Sequence, residues 1–142
     1  MERIQIDIPE KVLFTYTFTI AKQDINFANH MGNEMILVYA NTIRPKFFEH
    51  LQLEEMDSIA QTGTIVVNHQ IVYKSEGFLH DEITCAIGVC NFTSYGFDAV
   101  FHFIKKKENK TLAILKTGVV YFDYFNKRVH KLPMAYIEKF YG

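Results

Sequence analysis

Asp24, Asn26, Asn29, His30, Gly32 and Asn33 crowd into one short stretch of this chain, Asp24-Ile25-Asn26-Phe27-Ala28-Asn29-His30-Met31-Gly32-Asn33. Asp24 and His30 can exchange protons, and a histidine does so near neutral pH. The stretch ends where a helical pattern begins. The first N–H groups of a helix have no partner and carry partial positive charge. They can hold an oxygen that becomes negative during a reaction, as an oxyanion hole does. The same residues also suit a plain turn, with Asp24, Asn26 and Asn29 shaping it and Asn33 capping the helix.

The elements that must position this stretch are legible from periodicity. Phe14, Tyr16, Phe18 and Ile20 alternate with Leu13, Thr15, Thr17 and Thr19, the pattern of a strand. Residues 22–33 read as a long loop. From Glu34 onward Ile36, Ala40, Ile43, Phe47 and Leu51 recur every three or four positions, the stripe of an amphipathic helix. Glu34 falls in its first turn, where a negative charge complements the dipole. Pro45 lies inside the run and predicts a kink or two abutting helices. Four long strands follow. Ile65, Val67, His69, Ile71 and Tyr73 share one predicted face, and Ile83, Cys85, Ile87 and Val89 another. Phe97, Ala99, Phe101 and Phe103 form a third, and residues 111–123 a fourth strand, apolar on both faces. Turn signals at 75–77, 94–96 and 108–110 fit antiparallel neighbours. Met134 to Tyr141 reads as a short terminal helix. One helix set against one antiparallel sheet is an α+β layer. Apolar residues on the second face call for a cover, and a partner subunit would supply one.

With 142 residues the chain is expected to form a single domain over 1–142. The hydrophobic share is 49% and the formal net charge -1, which gives no electrostatic case for nucleic-acid binding. No apolar run is long enough to span a bilayer. Charges stand where a signal peptide needs its apolar core, so a cytoplasmic protein is expected. Cys85 and Cys90 are an odd number of positions apart on one strand, so they point to opposite faces and read as free thiols. No metal-ligand pair at helical spacing, Gly-rich phosphate loop or Gly-x-Ser-x-Gly elbow is present.

The run QDINFANHMGNEMILVYANTIRPKFFEHL resembles the signature of hotdog-fold acyl-CoA thioesterases, the 4-hydroxybenzoyl-CoA thioesterase-like group. Their pattern places Asp-x-Asp-x-x-x-His-x-x-Asn before an aromatic-rich helix. Asp24, His30 and Asn33 match it. Residues 63–67 resemble the family's second strand, and 117–123 its closing strand. Leu79-His80-Asp81 resembles its Gly-Asp turn, with His80 replacing glycine. The resemblance implies a hotdog fold, an antiparallel sheet wrapped around one long central helix. It implies a homodimer or homotetramer whose subunits join into one continuous sheet, with the site at the seam. It implies that the helix N-terminus, through Gly32, Asn33 or Glu34, polarises the carbonyl of an acyl-CoA or acyl-carrier thioester. The CoA thioester is then substrate, and no separate cofactor or metal is implied.

One departure stands out. The second acid position, usually the catalytic aspartate, is Asn26, which is a poor base. Asn26 and His30 are then expected to position or activate water, with Asp24 or Glu34 assisting. Two alternatives follow: a non-catalytic acyl-binding module, or a dehydratase or hydratase of acyl thioesters on the same fold. Lys105 and Lys106, in a lysine run beside a turn, are candidates for the CoA phosphates, or else a solvated hairpin tip. His69 and His102 read as structural.

Overall fold

The computed structural model describes residues 1–142. Strand β1 spans Phe14–Thr19 and helix α1 Met35–His50. Strands β2 (Met56–Asp57), β3 (Thr62–Tyr73), β4 (Glu82–Cys90), β5 (Gly96–Lys105), β6 (Lys110–Asp123) and β7 (Arg128–Val129) follow, and α2 (Met134–Tyr141) ends the chain. The strands form one antiparallel sheet in the order β1-β4-β5-β6-β3-β2, with β7 on β6. The sheet curls around α1, as a hotdog fold does. No helix is long and apolar enough to cross a membrane.

The aromatic alternation explains the core. Phe18, Phe97, Phe101 and Phe103 point inward against Ile36, Tyr39, Ala40, Ile43, Phe47 and Phe48 of α1. Helix α2 closes one end, where Phe140 stacks on Phe47 with centroids 6.3 Å apart. Cys85 sits in this core while Cys90 packs on the outer face, so the odd spacing separates them as expected.

Three local expectations change. Helix α1 runs unbroken through Pro45, so it is not two abutting helices. Pro45 and Asn41, four residues before it, are both exposed, and water can take the carbonyl that the missing N–H leaves free. Strand β3 carries a bulge: the register steps from Val66↔Val119 to Asn68↔Gly118, leaving Val67 unpaired. Thr64 and Val66, not Ile65 and Val67, therefore share the inner face with His69, Ile71 and Tyr73. Thirdly, the chain covers part of its own outer face. Ile6, in the N-terminal arm, packs on Val100 and Ile114. His80 has φ 72°, the left-handed region that favours glycine, which explains the glycine of the related turn.

His69 and His102 are structural, as the sequence indicates. His69 Nδ1 lies 2.9 Å from Thr117 Oγ1, and His102 Nε2 lies 2.8 Å from Thr111 Oγ1. Burial lowers both imidazoles from the ordinary 6.5, and the Arg44 charge adds to this at His69. Both therefore stay neutral to lower pH in the fold than in the unfolded chain. The unfolded chain takes up their protons as pH falls through about 6.5, so it then binds more protons than the folded chain. Stability is fully present above that value and falls below it. Denaturant midpoints measured from pH 8 to pH 5 will decline on the acid side, and His102→Gln will flatten that decline. An unchanged slope would refute this origin.

Candidate functional site

The loop before α1 is a compact double turn. A 3-10 turn at Lys22–Asp24 leads into an isolated bridge between Ile25 and Met31. Between them the chain reverses: Asn26 N donates to His30 O at 2.9 Å and Asn29 N to Asn26 O at 3.1 Å. Asn26 Oδ1 accepts the Ala28 N–H at 2.9 Å. Asn29 has φ 67°, which asparagine tolerates better than most residues. The turn reading of Asn26 and Asn29 therefore holds, and Nδ2 of Asn26 stays free.

Asp24 anchors the loop to the helix. Its Oδ2 accepts the Ala21 N–H at 3.1 Å and the Tyr39 hydroxyl at 2.9 Å. Burial and the Asp24 carboxylate push the Tyr39 hydroxyl well above its ordinary range, so Tyr39 stays a donor. This commits one oxygen of Asp24 to holding the fold; Oδ1 meets no donor in the chain. The backbone of Asp24 also accepts the Gly32 N–H at 3.0 Å. Gly32 is thus removed from the expected oxyanion donors.

Asn33 does not cap the helix with its side chain; Glu34 occupies the cap position and makes no side-chain cap bond either. The N–H groups of Asn33 and Glu34 meet no acceptor in the chain. With those of Ile36 and Leu37 in the first turn, they are the free donors of the tip. Tyr73, from the end of β3, donates its hydroxyl to Asn33 O at 2.8 Å and braces the tip against the sheet. The Glu34 carboxylate folds back over Gly32: a Cβ added there would collide with Oε1 and Oε2. This negative group lies against the positive end of the helix.

His30 sits beside the tip, with a third of its side chain exposed, and its Nε2 lies 3.9 Å from Glu76 Oε1. Its Nδ1 is 3.4 Å from Met31 O. A proton on Nδ1 faces that carbonyl, and the Glu76 carboxylate lies on the Nε2 side of the ring. Met31 N donates to Gly77 O at 2.8 Å, which ties this loop to Glu76–Gly77. Sequence reading missed Tyr39, Tyr73 and Glu76. Each reaches the site across long sequence separations, which periodicity does not encode.

Two lysines of the run are tied to the chain's own carboxylates. Lys105 is buried; its ammonium donates to Glu76 O at 2.9 Å and pairs with Asp81 and Glu108 at 3.4 and 3.5 Å. Lys106 pairs with Glu82 at 2.9 Å. Of the three lysines in the run, only Lys107 makes no such pair.

The tip itself is open. The larger clefts of one chain do not reach it; the largest, about 430 Å3, lies between Leu13, Val89, Phe92 and Phe140 instead. The long edge of β3 runs past the tip. Beyond Thr64, whose N–H reaches Glu55 O, that edge has no strand beside it.

The family model described as the thioesterase-like superfamily matches residues 20–140. The chain belongs to this superfamily. No curated protein matches the sequence. Among solved structures, the 1,4-dihydroxy-2-naphthoyl-CoA thioesterase of Synechocystis superposes with a TM-score of 0.82 at 14% identity, over 89% of this chain and 94% of that one. A Staphylococcus aureus protein solved in complex with CoA gives 0.81 at 13% identity, over 95% and 85%. A gentisyl-coenzyme A thioesterase gives 0.77 at 16%, over 89% and 99%. These likenesses show the hotdog fold. The activity that the superfamily's description names is that of a thioesterase, hydrolysis of a thioester.

Proposed function

We propose that this thioesterase-like chain hydrolyses acyl-CoA at the N-terminus of α1, as a dimer joined along β3. The observation that carries the reading is the pair of unpartnered N–H groups at Asn33 and Glu34, with His30 and a free carboxylate beside them. The thioester carbonyl oxygen takes those two donors, with the Glu34 carboxylate moved aside from Gly32. His30 Nε2 removes a proton from water, and Glu76 stabilises the resulting imidazolium. The hydroxide attacks the carbonyl carbon, and negative charge gathers on the oxygen at the helix tip. The carbon–sulfur bond then breaks. The CoA thiolate leaves with the proton from His30, and the carboxylic acid remains. Asn26 Nδ2 holds the water, while Asp24 keeps the loop in place.

The dimer rests on the edge of β3. Its twelve residues, TGTIVVNHQIVY, include no Lys, Arg, Asp, Glu or Pro. Natural edge strands normally carry such residues to prevent pairing. A second copy added antiparallel across this edge keeps both helices on one side of a continuous sheet.

Release of free thiol from a panel of aliphatic and aromatic acyl-CoAs tests the activity. Turnover of at least one is expected; none at all contradicts hydrolysis. Asn26→Asp keeps the acceptor for Ala28, so the loop survives. Because His30 acts as base, this variant is expected to stay within about ten-fold of the natural rate, below the usual value of a general base. A gain of about a hundred-fold or more would favour the acyl-binding module.

A further inference from the structure

Beyond Met1 at the chain start, two large apolar side chains are almost wholly exposed: Phe27 at 100% and Ile59 at 96%. Each stands at the apex of a turn held by an Asx side chain. Asn26 Oδ1 accepts the Ala28 N–H beside Phe27, and Asp57 Oδ1 accepts the N–H groups of Ile59 and Ala60, both at 3.0 Å. These turns are built, and each presents one apolar group to water. They lie at opposite ends of β3. Phe27 belongs to the loop that Tyr73 and Gly77 fasten at its C-terminal end. Ile59 belongs to the turn between β2 and the start of β3.

The edge of β3 determines how a second copy meets these ends. Strand β2 occupies that edge at Thr62 and Gly63, through Asp57 and Met56. Only Ile65 to Tyr73 remains for the partner. Antiparallel pairing that fills this stretch sets Ile65 opposite the partner's Tyr73. Strand β2 and the partner's β3 then lie end to end on the same edge. Tyr73 holds the helix tip of its own subunit, so each tip comes to rest beside the other subunit's Met56 and its turn.

We propose that the Asp57–Gln61 turn of one subunit forms the missing wall of the other's site, with Phe27 seated on the partner's Ile59. This rests on the dimeric site proposed above. The contact hides both apolar groups and shuts bulk water away from the thioester at the tip. It also makes residues 58–60 of the partner the surface that the acyl group or the pantetheine arm meets on entry.

The test places cysteines at Phe27 and Ile59 in a Cys90→Ser chain and treats the protein with a short bismaleimide. Light scattering on the same sample gives the native mass. A covalent dimer from the double variant, absent from either single variant, is expected. A native dimer that does not cross-link overturns this inference and leaves the dimer standing. A single variant that cross-links to itself also overturns it. A native monomer overturns both. Phe27→Asp supplies an independent readout. It cannot disturb the core, yet it should lower kcat/KM about ten-fold or more while the protein remains dimeric, because an apolar contact is replaced by a charge. Unchanged kcat/KM would contradict closure over the tip.

Discussion

Replacing His30 with alanine lowers kcat by about 10²–10⁴-fold, the usual value of a general base. The fall is expected in kcat more than in KM, because the imidazole is assigned to water and not to the bound acyl group. His30 is half-buried, bonds only weakly to Met31 O, and has one carboxylate near its other nitrogen. Its loss leaves no buried partner stranded, so the fold should survive. The chain's own hydrogen bonds to this residue run through its backbone, Asn26 N to His30 O. Glu76→Gln should reproduce part of the loss, since it removes the charge that faces Nε2. Steady-state kinetics on one turned-over acyl-CoA decides the matter. A His30→Ala enzyme within three-fold of the natural rate would remove His30 from the mechanism.

A second large effect is expected from Glu34→Pro measured against Glu34→Ala. Glu34 has φ -65° in the helix-entry position, an angle proline adopts without strain. Both substitutions delete the carboxylate that lies over Gly32. Only proline also deletes the N–H. The ratio of the two rates therefore isolates one donor at the tip. Losing an oxyanion donor costs about 10²–10³ in kcat. Circular dichroism of both variants guards against a simple loss of α1. Equal rates would mean that the carbonyl does not rest on that N–H.

The sheet and the long helix were legible because burial imposes alternation on strands and a stripe on helices. Phe14, Tyr16 and Phe18, and the run from Ile36 to Phe47, followed these rules directly. The bulge at Val67 did not show, because no glycine or proline marks it and a valine suits either face. Pro45 misled because its cost depends on whether water reaches the freed carbonyl, a property of the fold and not of the residue. The loop was legible as a polar cluster before a helix, and its resemblance to the thioesterase signature identified the chemistry. The division of labour inside it was not. One oxygen of Asp24 is taken by Tyr39, fifteen residues away, and the Gly32 N–H by the Asp24 carbonyl. Lys105 is withdrawn by Asp81 and Glu108. The Tyr39 and Asp81 contacts join separate elements of the fold, which local spacing does not encode.

A crystal structure with a non-hydrolysable ketone analogue of a turned-over acyl-CoA, its sulfur replaced by methylene, tests the helix-tip assignment most directly. The ketone oxygen should lie about 3 Å from the N atoms of Asn33 and Glu34, with the Glu34 carboxylate displaced from Gly32. A ketone bound at hydrogen-bonding distance from neither nitrogen, for instance in the cleft by Phe92 and Phe140, would contradict the assignment.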